Sequence, residues 1–285
     1  MEYCDLNAGA EQRLEYFKER LRQRGASANT INTYARSLWL YESLYGNLSL
    51  ESLNDYRNYL IAHYKPSTAN SRIYGINQYL KLLEQDGAEI PAGYQLAAVK
   101  LQHRPFLDNV ISQRDYERLK RGLKEDHNVF WYFVVHFLGS TGARISELLQ
   151  IKAEHIRMGY MDLYSKGGKV RRVYFPEALC RDALDWLETR GLQTGFVFTN
   201  RNGAPFTARG ISSQLKVLAR RYRINPDTVY PHSFRHRFAK NFLSRFNDIA
   251  LLADLMGHDS IETTRIYLTR SSQEQKALLD RIITW

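Results

Sequence analysis

Apolar residues recurring every three to four positions run through the first hundred residues and constrain that stretch to helices. Leu14, Phe17 and Leu21 form one stripe, and Ile31, Tyr34, Leu38 and Tyr41 a second. Leu53, Tyr56 and Leu60 form a third, and Ile73, Ile76, Leu80 and Leu83 a fourth. Such spacing places each set on one helix face. The intervening segments Arg24-Gly-Ala-Ser27, Tyr45-Gly-Asn47 and Lys65-Pro-Ser-Thr68 carry turn and cap residues. Asp86-Gly87 ends the fourth helix, and Ile90-Pro-Ala-Gly93 does not continue it. Four one-faced helices bury their stripes only against one another, so a helical unit over 1–101 is expected.

Gln102-His-Arg-Pro-Phe-Leu107 reads as part of a linker over 102–111. Ser112, with Asp115 three residues on, resembles a capping box that opens a second domain, 112–285. Helices dominate again with one interruption. Tyr160–Ser165, the turn Lys166-Gly-Gly-Lys169 and Val170–Phe175 read as strand, tight turn and strand. A further short strand is expected at Phe196-Val-Phe-Thr199. The fold class is therefore mainly α with a small β-sheet: a helical first domain and an α+β second domain. Internal repeats and low-complexity segments are lacking.

The longest apolar run, Val129–Val135, suits a buried helix and is too short to span a bilayer. The N-terminus MEYCDLNAGAEQ has no signal-peptide character. Cys4 and Cys180 stand far apart without ligand spacing, which points to a reducing, cytoplasmic setting. The chain carries a net charge of +10. Residues 1–104 hold 12 Lys/Arg against 11 Asp/Glu, and the remainder 28 against 19. A basic second domain suits an anionic partner, nucleic acid above all, although a basic surface also serves solubility. On the first domain Thr30, Thr33, Arg36 and Arg72 decorate helix faces from which phosphates could be touched.

Four places carry candidate chemistry, and each alone has a plain structural explanation. Arg144 follows Gly139-Ser-Thr-Gly-Ala143 and opens a helix, where the dipole gives a cation no advantage. Pairing with Glu147 would explain it structurally. Lys166 sits at a hairpin tip, where exposed lysine is common. His232 and Arg235 are i, i+3 neighbours in PHSFRHRFAKNFL, at a helix start suited to holding an anion. His258 follows Met256-Gly257 as a C-capping residue would, and Tyr267 falls at a helical position where most tyrosines pack. Together these six residues make a metal-free phosphoryl-transfer set. Arginines fork onto non-bridging oxygens, lysine protonates a leaving alkoxide, histidine exchanges a proton, and a phenol is a covalent nucleophile. No metal-ligand spacing is apparent, so neither metal nor cofactor is expected.

The ordered motifs TGARISELL (141–149), SKGGKVRRVYFP (165–176), HSFRH (232–236) and LMGHDSIETTRIYL (255–268) resemble the tyrosine recombinase, or phage integrase, family over essentially the whole chain. The resemblance implies a helical core-binding, DNA-clamping domain followed by a catalytic domain. It implies Arg144 and Arg235 as the arginine pair, Lys166 as general acid, and His232 and His258 as the histidines. Tyr267 becomes the nucleophile and Glu147 a supporting acid. Lys169 is a second candidate in the turn, and Lys169 and Arg237 join the possible DNA contacts. Ser233-Phe234 stands where relatives often have Asp-Leu, and Thr269 follows Tyr267 where many have His; neither changes a catalytic atom.

The implied activity is site-specific cutting and rejoining of double-stranded DNA through a 3′-phosphotyrosyl link and a Holliday junction, in a tetramer. The setting would be prokaryotic or a mobile element. With nothing before the core-binding domain, a simple core site without a separate arm-site domain is expected. Type IB topoisomerase-like relaxation and a non-catalytic DNA-binding regulator stay open as alternatives. The terminal segment 271–285 starts with a serine cap and carries Ala277, Leu278, Ile282 and Trp285 at helical spacing. That stripe could dock on its own domain; the resemblance implies exchange into a neighbouring protomer.

Overall fold

Each apolar stripe of the first hundred residues becomes a helix in the computed structural model, which describes residues 9–100, 109–164, 170–200, 202–258, 260–268, 276 and 279–283. The chain divides into two units, Met1–His103 and Arg104–Trp285. In the first, α1 (Ala10–Gln23), α2 (Ala28–Leu44), α3 (Leu50–His63) and α4 (Pro66–Gln85) follow one another. Ser27 and Ser49 cap α2 and α3 by accepting a hydrogen bond from the N–H three residues on. Pro66 occupies the first turn of α4, where its missing N–H costs nothing. Phe17, Leu38, Tyr41, Tyr56, Ile73 and Tyr79 meet in the core, with Tyr41 and Tyr56 edge to face at 5.2 Å. Two asparagines on α4 act as backbone surrogates. Asn70 exchanges both hydrogen bonds with Val99 and Asn77 both with Leu96, which fastens the segment after α4 to that helix.

The second unit contains α5 (Gln113–Glu125), α6 (Val129–Thr141), α7 (Ile145–Leu148), α8 (Ala153–Met158), β1 (Tyr160–Tyr164), β2 (Val170–Tyr174) and α9 (Glu177–Thr189). It continues through α10 (Ala208–Arg221), α11 (Pro231–Arg245), α12 (Ile249–Met256), α13 (Ile261–Arg265) and a 3-10 turn at Ile266–Leu268. The apolar helix α6 runs through its centre, with Val134, Val135, Phe137 and Leu138 fully buried. Ser112 caps α5 as expected, accepting from the Asp115 N–H at 3.0 Å. Ile111, assigned by the sequence to the linker, is buried instead and donates its N–H to Ser233 Oγ at 2.8 Å. Packing of the second unit therefore begins before Ser112. Residues 102–108 of that linker, like Lys166, Lys169 and most of 271–285, lie outside the described residues.

The hairpin pairs Tyr160 with Tyr174, Met161 with Val173 and Leu163 with Arg171. Alternation sends Met161, Leu163, Arg171 and Val173 to the inner face. The short strand expected at Phe196–Thr199 is corrected: only isolated bridges form there, Lys152 with Phe196 and Thr199 with Pro205. Proline offers no N–H to extend a ladder, and Gly195 and Gly203 turn the chain at positive φ on either side. Among the described residues no helix is long and apolar enough to cross a membrane.

Helices α2 and α4 approach closely at Gly75 of α4, where an added Cβ would lie 2.8 Å from Ser37 Cβ and 3.3 Å from Tyr34 Cα on α2. Gly75→Val should therefore wedge the two helices apart and lower stability by about 2 kcal/mol. Urea denaturation of the full chain checks this.

Candidate active site

Three guanidinium groups converge on the C-terminal end of α12. Arg171 donates from Nε and Nη2 to the Leu255 carbonyl at 3.1 and 2.9 Å. Arg235 donates from Nη2 to the Met256 carbonyl at 2.6 Å, and Arg144 from Nη2 to the Gly257 carbonyl at 3.1 Å. Three successive carbonyls, left without partners as the helix ends, thus each hold one arginine. The negative end of the helix dipole suits cations there. Gly257 stops α12 at φ +60, a left-handed conformation that glycine adopts without strain.

Arg144 is the residue before α7, and Glu147 folds back onto it. The Glu147 carboxylate accepts from the Arg144 N–H at 2.7 Å and from Arg144 Nη1 at 2.8 Å. It also accepts from Arg171 Nη1, so one buried carboxylate serves two guanidiniums. Burial pushes the Glu147 pKa up, but the Arg171 charge and the bonds from Arg144 and Arg171 more than reverse this and hold it below the usual range. Arg235 projects from the second turn of α11, is 2 % exposed, and spans two helix ends by adding a bond from Nη1 to the Gly142 carbonyl at 2.7 Å. Burial and the neighbouring Arg144 and Arg171 push its pKa down to about 10. It still carries its charge at neutral pH.

His258 follows the Gly257 turn. Its Nε2 lies 2.9 Å from Arg235 Nη2, which can only donate, so Nε2 accepts and Nδ1 carries the proton offered to Thr264 Oγ1 at 2.8 Å. Burial, reinforced by Arg235 and Arg144, lowers the His258 pKa to about 4 and keeps the ring neutral. The Tyr267 ring stacks over it at 6.0 Å and lies 5.3 Å from His236. Tyr267 is 6 % exposed, packed against Ala239, Leu252 and Met256. Burial raises its phenol pKa, while the charge of Arg235 and a hydrogen bond to it act in the opposite sense. His232 stays exposed at the first turn of α11; what burial it has, then Arg235 and Arg144, lowers its pKa. Beside these groups opens a cavity of about 980 Å³ lined by Arg144, Glu147, Arg171, Gly257, His258 and the hairpin.

The structure thus brings together Arg144, Glu147, Arg235, His258 and Tyr267, with His232 at the margin. Two residues had no assigned role in the sequence reading. His236 closes the HSFRH motif. Arg171 lay in the hairpin, and period-two alternation was the available signal: it shares the inner face with Val173, an unusual place for a charge. Among the candidate DNA contacts, Arg36 is exposed. Arg72 stacks on Tyr64 at 4.6 Å, and the Thr33 hydroxyl donates to the Asn29 carbonyl at 2.8 Å. The Thr30 hydroxyl lies 2.8 Å from that of the capping Ser27. Arg237 is buried, lies 3.6 Å over the Tyr116 ring and donates to Gln113.

Fixed positive charge in excess of one carboxylate, set against a buried phenol, is an arrangement suited to holding a phosphate. The model of the phage integrase family matches residues 109–274, more than half of the chain. The chain belongs to that family, the tyrosine recombinases, enzymes that break and rejoin DNA in site-specific recombination. It is 29% identical over 260 residues to the tyrosine recombinase XerC of Erythrobacter litoralis, covering 86% of this chain and 83% of that one. It is 27% identical over 282 residues to the tyrosine recombinase XerD of Oceanobacillus iheyensis, covering 90% and 93%. In fold it is similar to the Tn1549 transposon integrase in complex with transposon right end DNA, with a TM-score of 0.72 at 18% identity over 96% of this chain and 99% of that one. It is also similar to the XerH recombinase bound to palindromic difH substrate, with a TM-score of 0.74 at 19% identity over 95% and 84%.

Glu147 gives a pH-dependent test. Its folded pKa is depressed below the ordinary 4.5, so the stability it contributes is present above that value and is lost as pH falls through the depressed one. Glu147→Gln leaves a buried guanidinium short of its partner and should cost about 3 kcal/mol at neutral pH. The gap between the variant and the wild type should narrow as pH falls below about 4.5, read from urea midpoints across that range.

Proposed function

We propose that this chain cuts and rejoins duplex DNA at a specific core site with Tyr267 as the nucleophile. The observation that carries this reading is the Tyr267 phenol held beside Arg235, in a cluster of three guanidiniums of which two share the Glu147 carboxylate. In the proposed step Arg144 and Arg235 grip the non-bridging oxygens of the scissile phosphate. Tyr267 Oη attacks phosphorus, forming a 3′-phosphotyrosyl bond as the bond to the 5′ oxygen breaks. A neutral histidine takes the phenol proton, and Lys166 protonates the departing 5′ oxygen. Attack by the 5′-hydroxyl of a partner strand reverses the step, so no external energy source is needed. Two rounds would pass through a Holliday junction in a tetramer.

Duplex DNA as partner is supported by the DNA carried in the solved structures of similar fold. Exchange of the C-terminal helix between protomers is part of the same proposal. Leu279, Ile282 and Ile283 of that segment are about half exposed on this chain, as an apolar stripe awaiting a partner would be. The helical first unit with its exposed Arg36 would clamp the duplex, and Thr30, Thr33, Arg72 and Lys169 complete the candidate phosphate contacts.

Tyr267→Phe removes one oxygen from a packed ring. It should abolish the covalent protein–DNA adduct on a nicked suicide duplex while leaving half-site binding within about 2-fold. Adduct from the Phe variant would remove Tyr267 from its role. Relaxation of a plasmid without paired sites, with no exchange between paired ones, would instead favour a topoisomerase. The two turn lysines are separable as well. Lys166→Ala should slow cleavage by about 10²–10⁴-fold. A 5′-bridging phosphorothiolate, whose thiolate leaves unprotonated, should restore the rate. Lys169→Ala should weaken binding only, and the reverse pattern would move the general acid to Lys169.

A further inference from the structure

Arg171 is charged, inward-facing and two strand positions from Val173, yet the proposed reaction gives it no task. Its surroundings show what it joins. One end of the guanidinium meets the Glu147 carboxylate, the group that also orients Arg144. The other edge clasps the Leu255 carbonyl through two bonds. The next two carbonyls in sequence, Met256 and Gly257, orient Arg235 and Arg144. The residue after them is His258, which also contacts Arg235. Arg171 therefore touches both supports on which the phosphate-gripping arginines rest, and on the cavity wall its Nε, Nη1 and Nη2 are all engaged by them. Its planar fork can satisfy a carboxylate and a carbonyl at once; a lysine ammonium on a flexible stem cannot hold the same two directions.

The fit is close on the remaining side. A Cβ at Gly257 would fall 2.0 Å from Arg171 Cδ, so the turn that ends α12 and the Arg171 side chain occupy adjoining space with none to spare. Displacing either one moves the other.

We propose that Arg171 is a positioning residue for strand cleavage: by tying Glu147 to the C-terminal carbonyl of α12, it fixes the spacing between Arg144 and Arg235 at the scissile phosphate. This rests on the recombinase reading above. Arg171 acts through the two arginines and does not itself touch the phosphate. Misplacing such groups by about 1 Å costs on the order of 10²-fold in rate.

The test measures single-turnover adduct formation by the full-length chain on a nicked duplex carrying the core sequence that the wild type selects. Each variant is assayed on the phosphodiester and on a methylphosphonate at the scissile position. The methylphosphonate lacks the negative charge that the arginine pair grips. Arg171→Ala should slow cleavage of the phosphodiester about 10²-fold with half-site affinity changed less than about 3-fold, and the defect should shrink to under about 5-fold on the methylphosphonate. Arg171→Lys should fall between these limits. Gly257→Ala, which pushes against Arg171 while leaving it in place, should reproduce the same charge-dependent defect. Arg157→Ala, on α8 and bonded to Gln193 away from the cavity lining, serves as the control expected to cleave at the wild-type rate. Loss of folding in Arg171→Ala, seen by circular dichroism, leaves Arg171→Lys and Gly257→Ala to decide. Equal defects on both substrates, or wild-type cleavage by the Arg171 variants, would overturn the proposal. Failure of the wild type itself to form an adduct would count against the recombinase reading and not against Arg171.

Discussion

The second unit depends on one electrostatic arrangement: the C-terminal carbonyls of α12 and the Glu147 carboxylate share three guanidiniums among them. Burying a guanidinium without a partner is costly, and gathering three near one another, one buried and two partly so, adds repulsion. One carboxylate cannot neutralise three cations, and the carbonyl dipoles at the helix end supply the rest. What remains is a surplus of fixed positive charge in a cavity. That surplus is what a phosphate, or a transition state carrying more charge than the phosphate, can answer. A site assembled this way is less comfortable empty than occupied, which is the trade expected where stability and function compete.

Two glycines make the arrangement possible. Gly142 ends α6 and Gly257 ends α12, both at positive φ, and Arg235 bridges the Gly142 and Met256 carbonyls that these turns present. At Gly142 an added Cβ would lie 2.5 Å from the Phe238 ring on α11. The chain therefore needs glycine twice over at these ends, for the left-handed turn and for the close approach. α11 lies between them, delivering Arg235 inward, His232 toward solvent and His236 toward Tyr267.

The same crowding of cations sets the protonation of its neighbours. His258 and His236 are each driven to about 4 by burial and by adjacent positive groups, so both rings are neutral near pH 7. On His258 both ring nitrogens are already engaged, by Arg235 and Thr264, whereas His236 Nδ1 has no hydrogen-bond partner among the described residues. Burial alone would leave Tyr267 a reluctant phenol, and Arg235 is the group that works against that burial.

How far the sequence reaches can be judged from particular residues. The four helices of the first unit, the caps at Ser27 and Ser112, the hairpin and the grouping of Arg144, Arg235, His258 and Tyr267 were all legible. Periodicity and capping depend on neighbours three or four residues away, and the motifs kept their order along the chain. The missing strand at Phe196–Thr199 was not legible, because a ladder needs a partner with a free N–H and Pro205 supplied none. Arg237 looked like one more basic residue of a charged helix start, yet the packing of α11 on α5 turned it onto Tyr116 and Gln113. Arg171 hid for the converse reason: its partners Glu147 and Leu255 are 24 and 84 residues away. Sequence alone determined which residue types this chemistry draws on and which local elements carry them. Tertiary structure decided which arginines the α12 carbonyls and the Glu147 carboxylate hold together, because that depends on where distant helix ends place their unpaired carbonyls.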